Sequence, residues 1–83
     1  MFNVRVMNSV GASKAKNYPE TTTILNIMDD PEMSGILVGG SFMWNASIIT
    51  GDDYSKTLRD LGGHADRVNV LAAIKPANGA ARK

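Results

Sequence analysis

The sequence predicts an α+β domain in which a mixed sheet of four to five strands packs on one helix. Three stretches carry that prediction. Phe2, Val4 and Val6 alternate with Asn3, Arg5 and Met7, the period-two pattern of a half-buried strand. Ile24, Leu25, Ile27 and Met28 form an apolar stripe at helical spacing, behind the capping candidates Thr21 and Thr22. Val68, Val70, Ala72 and Ile74 alternate with Asn69, Leu71 and Ala73, a stretch apolar enough on both faces to suit a central strand.

The elements between these follow in order. Asn8, Ser9 and Gly11 supply turn chemistry after the first strand. Lys14 to Tyr18 then reads as the return strand of a hairpin, its lysines suited to an edge or an exposed surface. Pro19 to Thr21 ends it. Pro31 disfavours helical backbone at Asp30, so the helix stops there, or Asp30 caps a second short turn with Pro31 at its first position. Ser41 to Trp44 is a strand with Phe42 and Trp44 on one face and Met43 on the other, and Gly39-Gly40 ahead of it marks a bulge or turn. Asn45 sits at a turn, and Ala46 to Thr50 reads as a further strand. Tyr54, Leu58 and Leu61 at helical spacing predict a short helix over Asp52 to Leu61, ended by Gly62-Gly63. Residues 1–75 make a single domain, and 76–83 a small polar tail expected to be mobile.

Composition narrows the function classes. At 83 residues the chain has room for one thin core, and 43% hydrophobic with 20% charged residues suits a folded chain better than a disordered one. Nine basic and eight acidic residues leave a formal charge of +1, which argues against a strongly electrostatic nucleic-acid or membrane binder. The absence of cysteine removes disulfides, thiolate metal sites and thiol nucleophiles. Apolar runs fall far short of the ~20 residues that span a bilayer. Met1 to Arg5 lacks the basic run and long apolar core of a signal peptide, so a cytoplasmic location is expected.

Lys56-Thr57-Leu58-Arg59-Asp60-Leu61, followed by Ala65-Asp66-Arg67-Val68-Asn69-Val70, resembles the threonine-leucine turn, acidic knuckle and final strand of ubiquitin-like domains. With the N-terminal hairpin and a helix beginning after Thr21-Thr22-Thr23, the order is similar to that of the β-grasp fold, closest to its ubiquitin-like and sulfur-carrier members. The resemblance implies that the last strand lies in mid-sheet, parallel to the first, and that the leucine of the turn plugs one end of the core. It also implies that the open sheet face is a binding surface. A different small α+β arrangement is the competing reading. The chain departs from the family at its end: carriers and conjugated members finish in Gly-Gly, whereas this sequence runs Asn78-Gly79-Ala80-Ala81-Arg82-Lys83. The resemblance thus implies the fold more than carrier chemistry, which would need a processed C-terminus.

Candidate chemical sites are sparse. His64, the single histidine, could act as a base with Asp66 nearby and Ser55 as nucleophile, but it reads better as a loop residue beyond a glycine pair. Asp29, Asp30 and Glu32, and separately Asp52 and Asp53, offer oxygen ligands to a divalent cation. Capping explains the second cluster, and the spacing of a calcium loop is missing. Gly39-Gly40-Ser41 lacks the lysine of a phosphate loop, and Asn45-Ala46-Ser47 is a glycosylation triplet without a secretion signal. No catalytic, metal or cofactor residue is assigned.

The functional expectation is a non-enzymatic interaction module that binds a protein partner, or itself, through its open sheet face. Arg5, Lys14 and Lys16 are expected there, setting orientation through charge. Met7, Met43 and Leu71 are the apolar residues expected outside the core, with Phe42 and Trp44 inside it. The same basic residues, joined by Lys75, Arg82 and Lys83, raise a weaker alternative, contact with nucleic-acid phosphates, although no aromatic pair in that region supports base stacking.

Overall fold

The computed structural model describes residues 1–37 and 41–74. Strand β1 (Phe2–Met7) and strand β2 (Ser13–Tyr18) form the N-terminal hairpin, followed by helix α1 (Ile24–Asp29). Strand β3 (Ser41–Trp44), strand β4 (Ser47–Ile48), a 3₁₀ turn over Gly51–Ser55 and strand β5 (Asn69–Ile74) complete the order. The five strands make one sheet in the order β2-β1-β5-β3-β4. β5 runs parallel to β1 and antiparallel to β3, so the last strand is central and adjoins the first. The expected α+β architecture, a mixed sheet of four to five strands packed on one helix, is the one observed, with five strands and one α-helix among the described residues.

Local chemistry explains the turns. Asn8 organises the first hairpin: its Oδ1 accepts from the N–H groups of Val10 and Ala12 at 3.1 and 3.0 Å, and Gly11 supplies the positive φ of 93°. Helix α1 is capped by Thr23, one residue beyond the expected candidates. Thr23 Oγ1 accepts from Asn26 N–H at 3.1 Å, and Asn26 Oδ1 accepts from Thr23 N–H at 3.1 Å, a reciprocal capping box. The helix turns Ile24 and Ile27 fully into the core and leaves Leu25 47% exposed, so Leu25 is not part of the buried stripe. Asp30 both ends α1 and starts the next turn. Its Oδ1 accepts from Glu32 N–H at 2.9 Å, and its carbonyl accepts from Met33 and Ser34 N–H at 2.9 Å.

The helix expected over Asp52 to Leu61 does not form. Only Gly51–Ser55 is helical, as a 3₁₀ turn. The reason is tertiary: Leu58 N–H donates to Thr22 O at 2.8 Å and Arg59 N–H to Glu20 O at 3.2 Å. Those donors serve the segment leading into α1 and not a helix of their own, and Thr23 and Thr57 form an isolated bridge beside them. Leu58 is fully buried, closing one end of the core as expected. The strand expected over Ala46 to Thr50 shortens to Ser47–Ile48, although Ile49 N–H still donates to Phe42 O at 2.9 Å.

The core lies between the sheet and α1. Phe2, Val4 and Val6 of β1, Leu71 and Ala73 of β5, and Phe42 and Trp44 of β3 face Ile24, Ile27, Met33 and Leu58. Phe42 and Trp44 are buried as expected, and the Phe42 ring meets the edge of Tyr54 at 6.3 Å and 86°. The expectations for Gly39-Gly40 and for the tail 76–83 lie outside the described residues.

Candidate interaction surface

Side chains alternate across a strand, so the pairing registers assign each residue to the helix-covered face or to the open one. Met7 stands opposite Ala72, Ala72 opposite Met43, and Met43 opposite Ile48. These residues form a continuous apolar row across β1, β5, β3 and β4. Its two ends are the more open: Met7 is 37% and Ile48 57% exposed, while Ala72 and Met43 are half-buried by their neighbours. Val70 and Ile74 flank Ala72 along β5 on the same face. Arg5 lies beside the row, exposed, between Ala15 on β2 and Val70 on β5.

Of the six residues expected at a partner surface, the structure brings Arg5, Met7 and Met43 together on the open face. The other three lie elsewhere. Leu71 is fully buried: it pairs with Val6 and points with it toward α1. Lys14 and Lys16 pair with Val6 and Val4, which puts them on the helix side of the edge strand β2, across the sheet from Arg5. The physical reason is the period of two. Lys14 and Lys16 share a parity that the hairpin register matches to the buried residues of β1, and only the parity of Ala15 reaches the open face.

The two lysines hold the end of α1 to the sheet edge. Lys16 Nζ lies 2.8 Å from Asp30 Oδ2 and 3.3 Å from Glu32 Oε2, and Lys14 Nζ lies 3.5 Å from Glu32 Oε1. Tyr18 Oη donates to the same Asp30 Oδ2 at 2.8 Å. Lys16 first, then the Glu32 N–H and the Tyr18 hydroxyl, hold the Asp30 carboxyl down at about 2. Asp30 in turn raises Lys16. Burial, reinforced by the adjacent Asp30 carboxylate, pushes the Tyr18 phenol well above its ordinary value. Asp30 and Glu32, weighed in the sequence as oxygen ligands but not assigned to a metal, are ion-paired with Lys16 and Lys14. Among the described residues no group of three or more His, Cys, Asp or Glu side chains is arranged to hold a metal ion.

A cavity of about 270 Å³ opens beside the β3–β4 hairpin, lined in part by Trp44, Ile48, Ile49, Asp53 and His64. Its polar groups are largely spent on the fold. Trp44 Nε1 donates to Leu61 O at 3.0 Å. Asp53 accepts from Thr50 N–H at 3.0 Å and from Lys56 Nζ at 3.1 Å, and these contacts lower its pKa. The backbone of His64 is tied on both sides to Asn69. Ser55 Oγ donates to Asp52 O at 3.4 Å, and among the described residues no hydrogen bond links Ser55, His64 and Asp66.

Sequence reasoning missed Ile48, Val70 and Ala72 as members of the open face. The alternation of β5 separates two apolar sets, but which set faces the helix depends on the register with β1. No protein-family model, curated protein or solved structure matches this chain. The class it defines is architectural: a small α+β protein with a five-stranded mixed sheet, one face covered by a helix and the other left open by the described residues. Among the described residues no helix is long and apolar enough to cross a membrane.

Proposed function

We propose that this chain is a non-enzymatic protein-interaction module of the β-grasp, ubiquitin-like kind, and that it binds a protein partner through the open face of its sheet. The observation that carries the reading is the row Met7–Ala72–Met43–Ile48, apolar across four strands and edged by Arg5. Exposed apolar residues scattered singly need no explanation, but a contiguous row with a charged rim has the composition of a docking surface. The central parallel β5, the buried Leu58 turn and the single helix support the β-grasp kinship. Contact with nucleic acid has less support, because Lys14 and Lys16 are paired with carboxylates on the other side of the sheet from Arg5.

Site-specific photo-crosslinking in the native cell tests the reading. A photoreactive residue at Ile48 is expected to give a discrete protein adduct, and one at Val10, 85% exposed in the first hairpin turn, is expected to give none. An adduct of twice the chain mass makes the partner a second copy. Equal labelling from both positions, or none from Ile48, refutes the docking face.

A further inference from the structure

We infer that the open face takes an acidic amphipathic peptide segment, whose carboxylate pairs with Arg5 while its apolar side chains cover the Met7–Ala72–Met43–Ile48 row; the inference rests on the docking reading above. Arg5 is the only charged residue at a strand position on this face among the described residues. It also stands apart from the other described lysine and arginine side chains. Lys14, Lys16, Lys56, Arg59 and Arg67 each lie within 4.0 Å of a carboxylate, and Arg5 has no such partner among the described residues. Its cross-strand neighbours Ala15 and Val70 carry no side-chain acceptor.

The charge selects the partner. A guanidinium offers five N–H donors in a planar fork that matches a carboxylate. Covering the apolar row removes water from around Arg5, and a neutral or basic partner would leave that charge without a counterion, at a penalty. An acidic one converts the same desolvation into a charge-assisted hydrogen bond. A second copy docked face to face about a twofold axis would bring no counterion to either Arg5, because among the described residues the strand positions of this face hold no acid. Single-stranded RNA could supply anions to Arg5, but among the described residues the strand positions of this face present no second cation and no aromatic ring for a base to stack on. The dimensions set a length. The row crosses three inter-strand spacings, about 14 Å, which about ten helical residues span.

Selection from a displayed library of random peptides of about twelve residues, against the intact protein carrying methyl-labelled methionine, tests this. The selected pool is expected to be enriched in Asp and Glu over the starting library, and the strongest peptide to shift the Met7 and Met43 methyl signals. Against Arg5→Glu, an exposed substitution checked for an unchanged melting curve, that peptide is expected to bind about tenfold more weakly, and reselection to favour Lys and Arg. Peptides that shift both methyls yet show no acidic enrichment and bind Arg5→Glu equally overturn the inference and leave the docking face standing. Peptides that move neither methyl, or no binders at all, overturn both. Tighter binding of an RNA dodecamer at the same methyls, or methyl shifts that follow protein concentration alone, overturn the peptide assignment.

Discussion

Asn45 donates from Nδ2 to Oδ1 of Asn69 at 3.0 Å, and this bond ties the β3–β4 hairpin to the centre of the sheet. Asn45 also imitates a strand residue toward β5: its N–H donates to Val70 O at 2.9 Å and its Oδ1 accepts from Val70 N–H at 2.8 Å. Asn69, fully buried, accepts from His64 N–H at 2.7 Å and donates to Asn3 O at 3.2 Å and His64 O at 2.9 Å. One side chain thus joins β1, β5, the hairpin and the loop after the glycine pair. A buried amide is tolerated in a core when its donors and acceptor are all used, and here they are.

Replacing Asn69 with leucine leaves several of those partners buried and unsatisfied. Asn69→Leu is expected to lower stability by about 2–4 kcal/mol, each stranded polar group costing about 1–3 kcal/mol before relaxation. Urea unfolding followed by Trp44 fluorescence measures it. A loss below about 0.5 kcal/mol, the scale of an ordinary surface change, would show that the network is not holding the sheet together.

The β3–β4 turn carries a correctable strain. Asn45 and Ala46 have φ of 48° and 73°, the two positive values of a tight hairpin turn. Asparagine tolerates that region; alanine loses about 1–2 kcal/mol there. Glycine relieves the strain but enlarges the entropy of the unfolded chain by about 0.4–1 kcal/mol. Ala46→Gly is therefore expected to stabilise by about 0.5–1 kcal/mol, read as a higher urea midpoint at unchanged slope.

Gly62 and Gly63 are needed for different reasons. Gly62 has a φ of +76° with open space where a side chain would go. A Cβ on Gly63 would stand 2.6 Å from a Phe2 ring carbon and 2.9 Å from Leu58 O, with the chain held there by Gly63 N–H donating to that same oxygen. The ring can yield, but the carbonyl is fixed by its own hydrogen bond. Gly62→Ala is expected to cost about 1 kcal/mol, for the backbone conformation alone, and Gly63→Ala about 2–3 kcal/mol, from overpacking. Thermal melts of the two variants should rank in that order; the reverse ranking contradicts the packing argument.

Acid should loosen the end of α1. Asp30 binds its proton less readily in the fold, at about 2, than at its ordinary 3.8. The stability it contributes is thus complete above its ordinary value and is lost as pH falls from there toward about 2. Asp30→Asn is expected to be less stable than the natural chain at neutral pH, with the gap closing over that window. Parallel chemical denaturation from neutral pH down to the acid limit shows this, and a constant gap would mean that the Lys16 and Tyr18 contacts contribute nothing.

Tyr18 reports the same contact from the alkaline side. Ionising its phenol would set an anion against the Asp30 carboxylate in a partly dry site. In a Tyr54→Phe background, ultraviolet titration is expected to show no tyrosinate until the protein unfolds. Replacing Asp30 as well should let the phenol ionise earlier, since only burial and the Glu32 carboxylate would remain to oppose it.

Local patterning was enough for the α+β class, both clear strands, the stop at Asp30 and the burial of Phe42 and Trp44, because each depends on residues within a few positions of one another. Placement of β5 beside β1 and burial of the Leu58 turn were legible through the family resemblance. Three features needed the assembled chain. The helix expected over Asp52 to Leu61 was prevented when its backbone donors found Thr22 and Glu20. Lys14 and Lys16 went to the helix side, and Leu71 to the core, because strand register decides which parity of residues meets Val4 and Val6. Alternation along a strand says that two faces exist; which of them meets α1 is decided by pairings between residues distant in the chain. That same register left Arg5 alone beside the apolar row.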